Sequence, residues 1–357
     1  MNNDMSAKGG FTFGPPRCSY GEAGGKKIIC IGLACKDMFF PTTEGKITET
    51  PEDLFSQKKI SFELGAKYKI EERFETLGGC AVNVACALSK LGIASACYSK
   101  LGEDYVGQWI KNKLREYGIN QEMVVTEKDF ASDLSAIIVD KMSGDRVIFS
   151  NQKVNGTLQI DSRKIKEAEW VFIGDLQGAW EKHLENIFQL SKENKTRVAF
   201  NPRQSNIHDN VQKIIESLPY AEIVFLNKDE ALEIVSAAGH FSQEELDNEK
   251  ILITELKKIG GKIIVITDGI RGAWATQGEK IFFVPAVKVQ ACDSTGAGDA
   301  FCGAFWGAYL KGEKIEECLK WGIVNGGNVV RFYGGQEGLL NEEDLREKTK
   351  SLTVKEI

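Results

Sequence analysis

Hydrophobic and polar positions fall into two kinds of block along this chain. The first kind is a short, continuous apolar run bounded by polar or turn-forming residues. Such runs occupy residues 27–34, 94–100, 170–173, 197–200, 222–226 and 262–266. Rich in Ile, Val and Phe and lacking strict alternation, they predict strands buried on both faces of a sheet. The second kind repeats apolar residues every three or four positions and predicts helices. These cover residues 81–91 with Gly92 as the stop, a stretch from Asp104 to Tyr117 and Gly118, and residues 182–192, 211–217, 301–310 and 321–332. Strands alternating with helices predict an α/β fold whose mostly parallel sheet is covered by helices on both faces. In such sheets ligands bind beyond the carboxyl ends of the strands. Residues 135–140 and 146–150 flank Ser143-Gly144 and predict a hairpin. Residues 39–76 break the pattern: Pro41, Gly45, Pro51 and Gly65 interrupt strand-like pieces at 59–64 and 68–74. Residues 1–26 are polar, Gly-rich and aperiodic, and are expected to form a flexible tail ahead of one domain over 27–350.

Composition narrows the class of protein. Hydrophobic residues make up 42% and charged residues 27% of the 357, and the net charge is −6. That balance suits a globular enzyme and disfavours nucleic acid as a partner, since no basic run or basic-aromatic patch occurs. No apolar stretch of about twenty residues is present, so no membrane span is expected. Nothing resembles the apolar core of a secretory signal, and the nine cysteines lie mostly in apolar segments without a C-x-x-C pair. These features point to a cytoplasmic protein with reduced thiols rather than a disulfide frame or zinc site. The three histidines, His183, His208 and His240, stand far apart, which argues against histidine chemistry.

The stretch with most chemical content is Cys292-Asp293-Ser294-Thr295-Gly296-Ala297-Gly298-Asp299-Ala300-Phe301. Small residues lead into an apolar helix. Free N–H groups at a helix start, with the positive end of its dipole, make a site for an anion such as a phosphate. Asp299 stands where a carboxylate would repel that anion. General-base work accounts for it: the carboxylate takes a proton from a hydroxyl that attacks phosphorus held over the N–H groups of Gly296, Ala297 and Gly298. No Walker A motif occurs, and Gly32-Leu33-Ala34-Cys35-Lys36-Asp37 is not the dinucleotide fingerprint of a Rossmann dehydrogenase.

Residues 293–301 resemble the C-terminal signature of the ribokinase/PfkB family of sugar and nucleoside kinases, D-[TS]-[TI]-G-A-G-D-x-F. The segment from Gly78-Gly79 through Asn83 to Leu91-Gly92 resembles the family's N-terminal signature. Asn227-Lys228-Asp229-Glu230 is similar to its N-x-x-E motif, and Thr267 to Gly272 to its nucleotide-wrapping segment. The resemblance spans residues 27–340 and implies a ribokinase-like fold with a small β lid, built here from about 38–76 and 131–151. It implies an ATP- and Mg²⁺-dependent phosphotransferase acting on a hydroxymethyl group, with Asp299 as base. Asp37, Gly78, Gly79 and Asn83 would hold the acceptor. Asn227, Thr267, Gly269 and Gly272 would contact ATP, and Glu230 would bind Mg²⁺ through water. Asp293, Thr295, Gly334 and Gly338 match the family's monovalent cation site, which takes K⁺. Arg203 reads either as a contact to a phosphate or acidic acceptor or as a surface residue, and Asn325 either as an adenine contact or as a helix-surface amide. A sugar acceptor is favoured. A nucleoside kinase and a non-catalytic sugar sensor are the alternatives, and the protein is a monomer or a homodimer through the lid.

Overall fold

The computed structural model describes residues 27–50 and 58–357; the expected tail over 1–26 and part of the 38–76 segment lie outside the described residues. A nine-stranded sheet forms the centre. Its order is Lys355–Glu356, Lys280–Val284, Gly272–Gln277, Ile263–Asp268, Ile223–Asn227, Arg197–Asn201, Trp170–Gly174, Ile28–Gly32 and Ala96–Tyr98. The six strands from Ile263–Asp268 to Ala96–Tyr98 pair in parallel, and the other three add antiparallel.

Alternation of side chains along each strand divides the apolar runs between two cores. Ile28, Cys30, Trp170, Phe172, Phe225 and Val265 face one way, onto the helices Cys80–Lys90, Ala297–Leu310 and Ile315–Val329. Ile29, Ile31, Val171, Ile173, Val224, Leu226 and Ile266 face the other, onto Trp180–Asn194, Gln204–Ser217, Lys228–Ala238 and Glu249–Ile259. Burying both faces is why these strands read as continuous apolar runs.

A second, four-stranded sheet runs in the order Arg146–Asn151, Leu134–Asp140, Cys35–Thr42 and Phe74–Gly78. It closes over a small core of Phe39, Ile137 and Val139 against Tyr333, whose ring stacks on Phe74 at 4.6 Å. The hairpin Lys46–Glu49 with Lys58–Ser61 stands beside it.

Several boundaries differ from the sequence reading. The first apolar run, expected over 27–34, is shorter than that as a strand. It breaks after Gly32, and Asp37 lies inside the second-sheet strand Cys35–Thr42. Residues 68–73 form no strand; with charges at Lys67, Lys69, Glu71, Glu72 and Arg73 they have no partner strand, and pairing begins at Phe74. The strand expected over 94–100 splits into Ala96–Tyr98 and Lys100–Gly102, the latter pairing with Val125–Glu127. The helix expected at 321–332 runs over Ile315–Val329.

Candidate active site

The helix Ala297–Leu310 begins at Gly296, whose φ of 74° needs glycine. A Cβ there would stand 2.4 Å from Gly335 Cα, so the loop is pressed against the Gly334–Gly338 segment. Asp299 sits in the first turn, and above Gly298 the space is open. The Ala297 N–H makes only a long 3.3 Å bond to Ser294 O, which an incoming anion can replace.

Asp299 meets Asn83, 216 residues away in sequence. Asn83 Nδ2 donates to Asp299 Oδ2 at 2.7 Å, while Asn83 Oδ1 accepts from Gln336 Nε2. Asn83 thus holds the carboxylate, whereas the resemblance assigned it to a substrate hydroxyl. The contact joins two helices that pack directly against each other. Gly303 makes that possible, since a Cβ on it would fall 2.4 Å from Ala87 Cβ on Cys80–Lys90. Burial raises the pKa of Asp299, and the Asn83 hydrogen bond partly offsets this.

Five of the expected residues line one cavity of about 100 Å³: Asn227, Glu230, Thr267, Gly298 and Asp299, together with Asn201, Phe225, Leu226 and Cys302. Asn227 and Glu230 form a reciprocal cap on Lys228–Ala238. Asn227 Oδ1 accepts from Glu230 N at 2.8 Å, and Glu230 Oε2 accepts from Asn227 N at 2.9 Å. Burial pushes Glu230 up to about 7. Gly269 turns at φ 43° in open space. Gly272, expected at the nucleotide, pairs with Asp268, and a Cβ there would come 2.1 Å from Val284 O; its missing side chain serves the sheet.

Asp37 lies in the second-sheet strand Cys35–Thr42 beside Gly78, where a Cβ would lie 2.1 Å from Asp37 Oδ2, and the charge of Asp299 acts on it. Its Oδ1 accepts from the Cys35 thiol at 3.3 Å, and burial raises its pKa against a hydrogen bond from Ser135. Gly79, at φ 99°, caps Cys80–Lys90.

Three of the four expected cation residues, Asp293, Thr295 and Gly334, come together. Asp293 Oδ1 accepts from Thr295 N at 3.0 Å and Thr295 Oγ1 at 2.8 Å, and Oδ2 accepts from Gly334 N at 3.2 Å. Gly338 lies further along, its carbonyl accepting from Asn328 Nδ2 at 2.6 Å. The Arg146 guanidinium, from the second sheet, stands 3.8 Å from Asp293 Oδ1 and donates to Ser294 Oγ. Asp293 accepts three hydrogen bonds and has the Arg146 guanidinium as counter-charge, so its carboxylate carries no unbalanced charge that calls for a monovalent cation.

Asn325 takes neither of its expected roles. It is buried, donates to Ala300 O at 2.8 Å and accepts from Leu340 N at 3.0 Å, tying the signature helix to the segment behind it. Arg203 is neither free nor simply superficial: its Nε pairs with Asp175 at 3.0 Å and its Nη2 donates to Gln152 Oε1 at 2.7 Å. Asp175 escaped the sequence reading, although it follows the strand Trp170–Gly174 and the carboxyl-end rule points to it. Cys80, Gln336 and Arg146 escaped as well; Cys80 Sγ donates to Asn201 Oδ1 at 3.4 Å.

Among the described residues no helix is long and apolar enough to cross a membrane, and no group of three or more His, Cys, Asp or Glu is arranged to hold a metal.

This architecture is the ribokinase fold. The ribokinase of Cryptococcus neoformans, solved in complex with ADP, superimposes with a TM-score of 0.71 at 20% identity, covering 91% of this chain and 100% of that one. Residues 53–342 match the profile of the pfkB family carbohydrate kinases, and the chain belongs to that family. It is therefore a kinase. An uncharacterised sugar kinase of Archaeoglobus fulgidus is 27% identical over 264 residues, 72% of this chain and 99% of that protein. A nucleoside kinase of Methanocaldococcus jannaschii is 24% identical over 324 residues, 88% of this chain and 95% of that one.

Proposed function

We propose that this kinase moves the γ-phosphate of ATP to a hydroxymethyl group of a small sugar, with Asp299 as general base. The observation that carries the reading is the placement of Asp299. It lies at the start of a helix whose N–H groups face a cavity shared with Asn227, Glu230 and Thr267, and Asn83 fixes its carboxylate.

The roles follow from the chemistry. The second sheet is a lid carrying Asp37, which accepts acceptor hydroxyls on the side of Asp299 away from the phosphate cavity. Asp299 takes the proton of the attacking hydroxyl. The N–H groups of Gly296, Ala297 and Gly298 hold the negative charge that develops on the transferred phosphoryl group, and charge stabilisation with positioning supplies most of the rate. Asn227 and Thr267 face the phosphates, and Gly269 leaves room for the nucleotide. Glu230, buried on the same cavity, suits a Mg²⁺ ion held through water, because magnesium keeps several waters and needs few carboxylates. When bound, the ion neutralises phosphate charge. We derive no step from a monovalent cation at Asp293. A cytoplasmic setting supplies ATP and keeps the cysteines reduced.

A nucleoside acceptor is the second reading, supported by the likeness to the M. jannaschii nucleoside kinase. The test is ADP release with ATP and Mg²⁺ across ribose, fructose, fructose 6-phosphate, 2-keto-3-deoxygluconate, adenosine, inosine and cytidine. Turnover with one acceptor and loss of it in Asp299→Asn supports the assignment. Full turnover by that variant removes Asp299 from the mechanism.

A further inference from the structure

The loop ahead of the signature helix and the segment behind it are met by both outer strands of the second sheet. Arg146 opens the strand Arg146–Asn151; its Nη1 donates to Ser294 Oγ and its Nε stands 3.8 Å from Asp293 Oδ1. Gly144, in the turn before that strand, packs on Cys292: a Cβ there would come 3.2 Å from the Cys292 carbonyl oxygen. From the opposite edge, Thr76 of Phe74–Gly78 lies against Gly334, where a Cβ would fall 2.6 Å from Thr76 Oγ1. Gly334 is the residue whose N–H donates to Asp293 Oδ2. Both edges of the sheet thus converge on the groups around Asp293.

The side chain of Asp293 is fully buried, and burying a carboxylate is costly unless it is hydrogen-bonded and paired. Thr295 and Gly334 supply the bonds. Several nearby charges are acids: Asp37, on which Asp293 acts electrostatically, and Asp140 and Asp145, which share a pocket with Lys59 and Arg146. Arg146 is the cation that pairs with Asp293. Its Nε is buried and makes no hydrogen bond among the described residues, so it faces Asp293 as a charge rather than as a bonded donor. The two hydrogen bonds from Thr295 fold the backbone onto Asp293 immediately before Gly296, and so set the course of the N–H groups proposed to hold the phosphoryl charge. Without a counter-charge, Asp293 would oppose the negative charge those groups receive.

We infer that Arg146 is a positioning residue: from the second sheet it supplies the counter-charge that a monovalent cation supplies at this loop elsewhere in the family. Phosphoryl transfer is then independent of K⁺, and the loop keeps its shape only while the second sheet is seated on it. This rests on the role proposed above for Gly296, Ala297 and Gly298, and on the reading of the second sheet as a lid.

The test compares wild type with Arg146→Gln in KCl and in tetramethylammonium chloride at equal ionic strength, which holds screening constant. K⁺ should raise the kcat of Arg146→Gln by about 10-fold or more beyond its effect on wild type, because it replaces the lost charge and restores the loop. K⁺ should not return the acceptor KM to the wild-type value, because the contact between sheet and loop remains broken. Equal K⁺ stimulation of the two proteins overturns the exchange of cation for arginine, as does a loss of kcat that K⁺ leaves uncorrected. A wild-type acceptor KM in Arg146→Gln overturns the tie to the second sheet. Melting curves in the same salts read the charge without turnover. K⁺ should raise the Tm of Arg146→Gln and leave wild type where tetramethylammonium leaves it. A K⁺-specific rise in wild type, or none in the variant, overturns the inference even if no acceptor is found. Absence of turnover with every acceptor counts against the proposed activity, separately from that melting result. Should Arg146→Gln fail to fold in either salt, adding Asp293→Asn removes the other charge of the pair and should restore folding; failure to do so refutes the pairing.

Discussion

Replacing Asp299 by Asn should have opposite effects on activity and stability. The substitution keeps shape and leaves Asn83 Nδ2 an oxygen to donate to, at the place where it now bonds Asp299 Oδ2 at 2.7 Å. It removes the proton-accepting group, so kcat should fall about 10²- to 10⁴-fold, the range for losing a positioned general base. It also removes a charge that the fold disfavours. The Asp299 pKa is raised in the native state because burial outweighs the Asn83 bond. A raised carboxylate pKa means that the ionised group weakens the fold above its native pKa, and that this penalty disappears below the ordinary Asp value. Asp299→Asn should therefore stabilise the protein at pH 7–8 by about 1–2 kcal/mol, a typical gain where function is kept at the expense of stability. That corresponds to a rise of a few degrees in Tm for a domain of this size. The gap should close as pH falls into the acid range. Melting curves between pH 4 and 8, run beside ADP-release assays, read both effects. A variant that loses activity and also melts lower at pH 7.5 would mean that the substitution damages the site's structure. Near-normal turnover would refute the base assignment outright.

Glu230, pushed up to about 7, is mostly ionised only above that pH, so the Mg²⁺ concentration needed for half-maximal rate should fall as pH rises through about 7. Glu230→Gln should abolish that dependence and raise the Mg²⁺ requirement about 10-fold; an unchanged Mg²⁺ titration would remove Glu230 from the metal site. Gly303→Ala forces Ala87 and the signature helix apart and should stretch the Asn83–Asp299 bond, lowering kcat with little change in KM for ATP and costing about 1–3 kcal/mol by overpacking. A melting shift without a kcat change would show that helix spacing does not govern the base. Replacing K⁺ by Na⁺ or tetramethylammonium should alter turnover by less than about tenfold, since Arg146 already faces Asp293; a larger effect would place a cation near that loop.

The parallel strands were legible because burial on both faces leaves an unbroken apolar run, as in Ile28–Gly32 and Trp170–Gly174. The antiparallel extension was not read. Gly272–Gln277 and Lys280–Val284 pair on the far edge, and the sequence reading stopped at Gly272, where the resemblance to the nucleotide-wrapping segment ends. The Gly296–Asp299 loop was legible because its chemistry is contiguous. Asp175, Arg203 and Gln152 were not recognised as one group, because they come from the ends of two neighbouring strands and from the loop after a third in the other sheet. Only strand order brings them together. Asn325 was misread for a related reason: its helix is buried on most of its circumference, so periodicity could not say which face is exposed.

Three carboxylates, Asp37, Asp175 and Asp299, carry the same physical signature from three different origins. Asp37 comes from a sheet strand, Asp175 from a left-handed turn and Asp299 from a helix start, and burial raises all three. Each is given a different counterpart: Ser135 and a thiol for Asp37, Arg203 for Asp175, and an amide for Asp299. A guanidinium beside Asp299 would hold it ionised and lower its basicity. An amide orients it while leaving its proton affinity high, as general-base work requires. Arg203, by contrast, is a counter-charge that favours the ionised form of Asp175. On the proposed mechanism, an amide beside Asp299 and a cation beside Asp175 make Asp299 the better suited of the two acids to accept a proton.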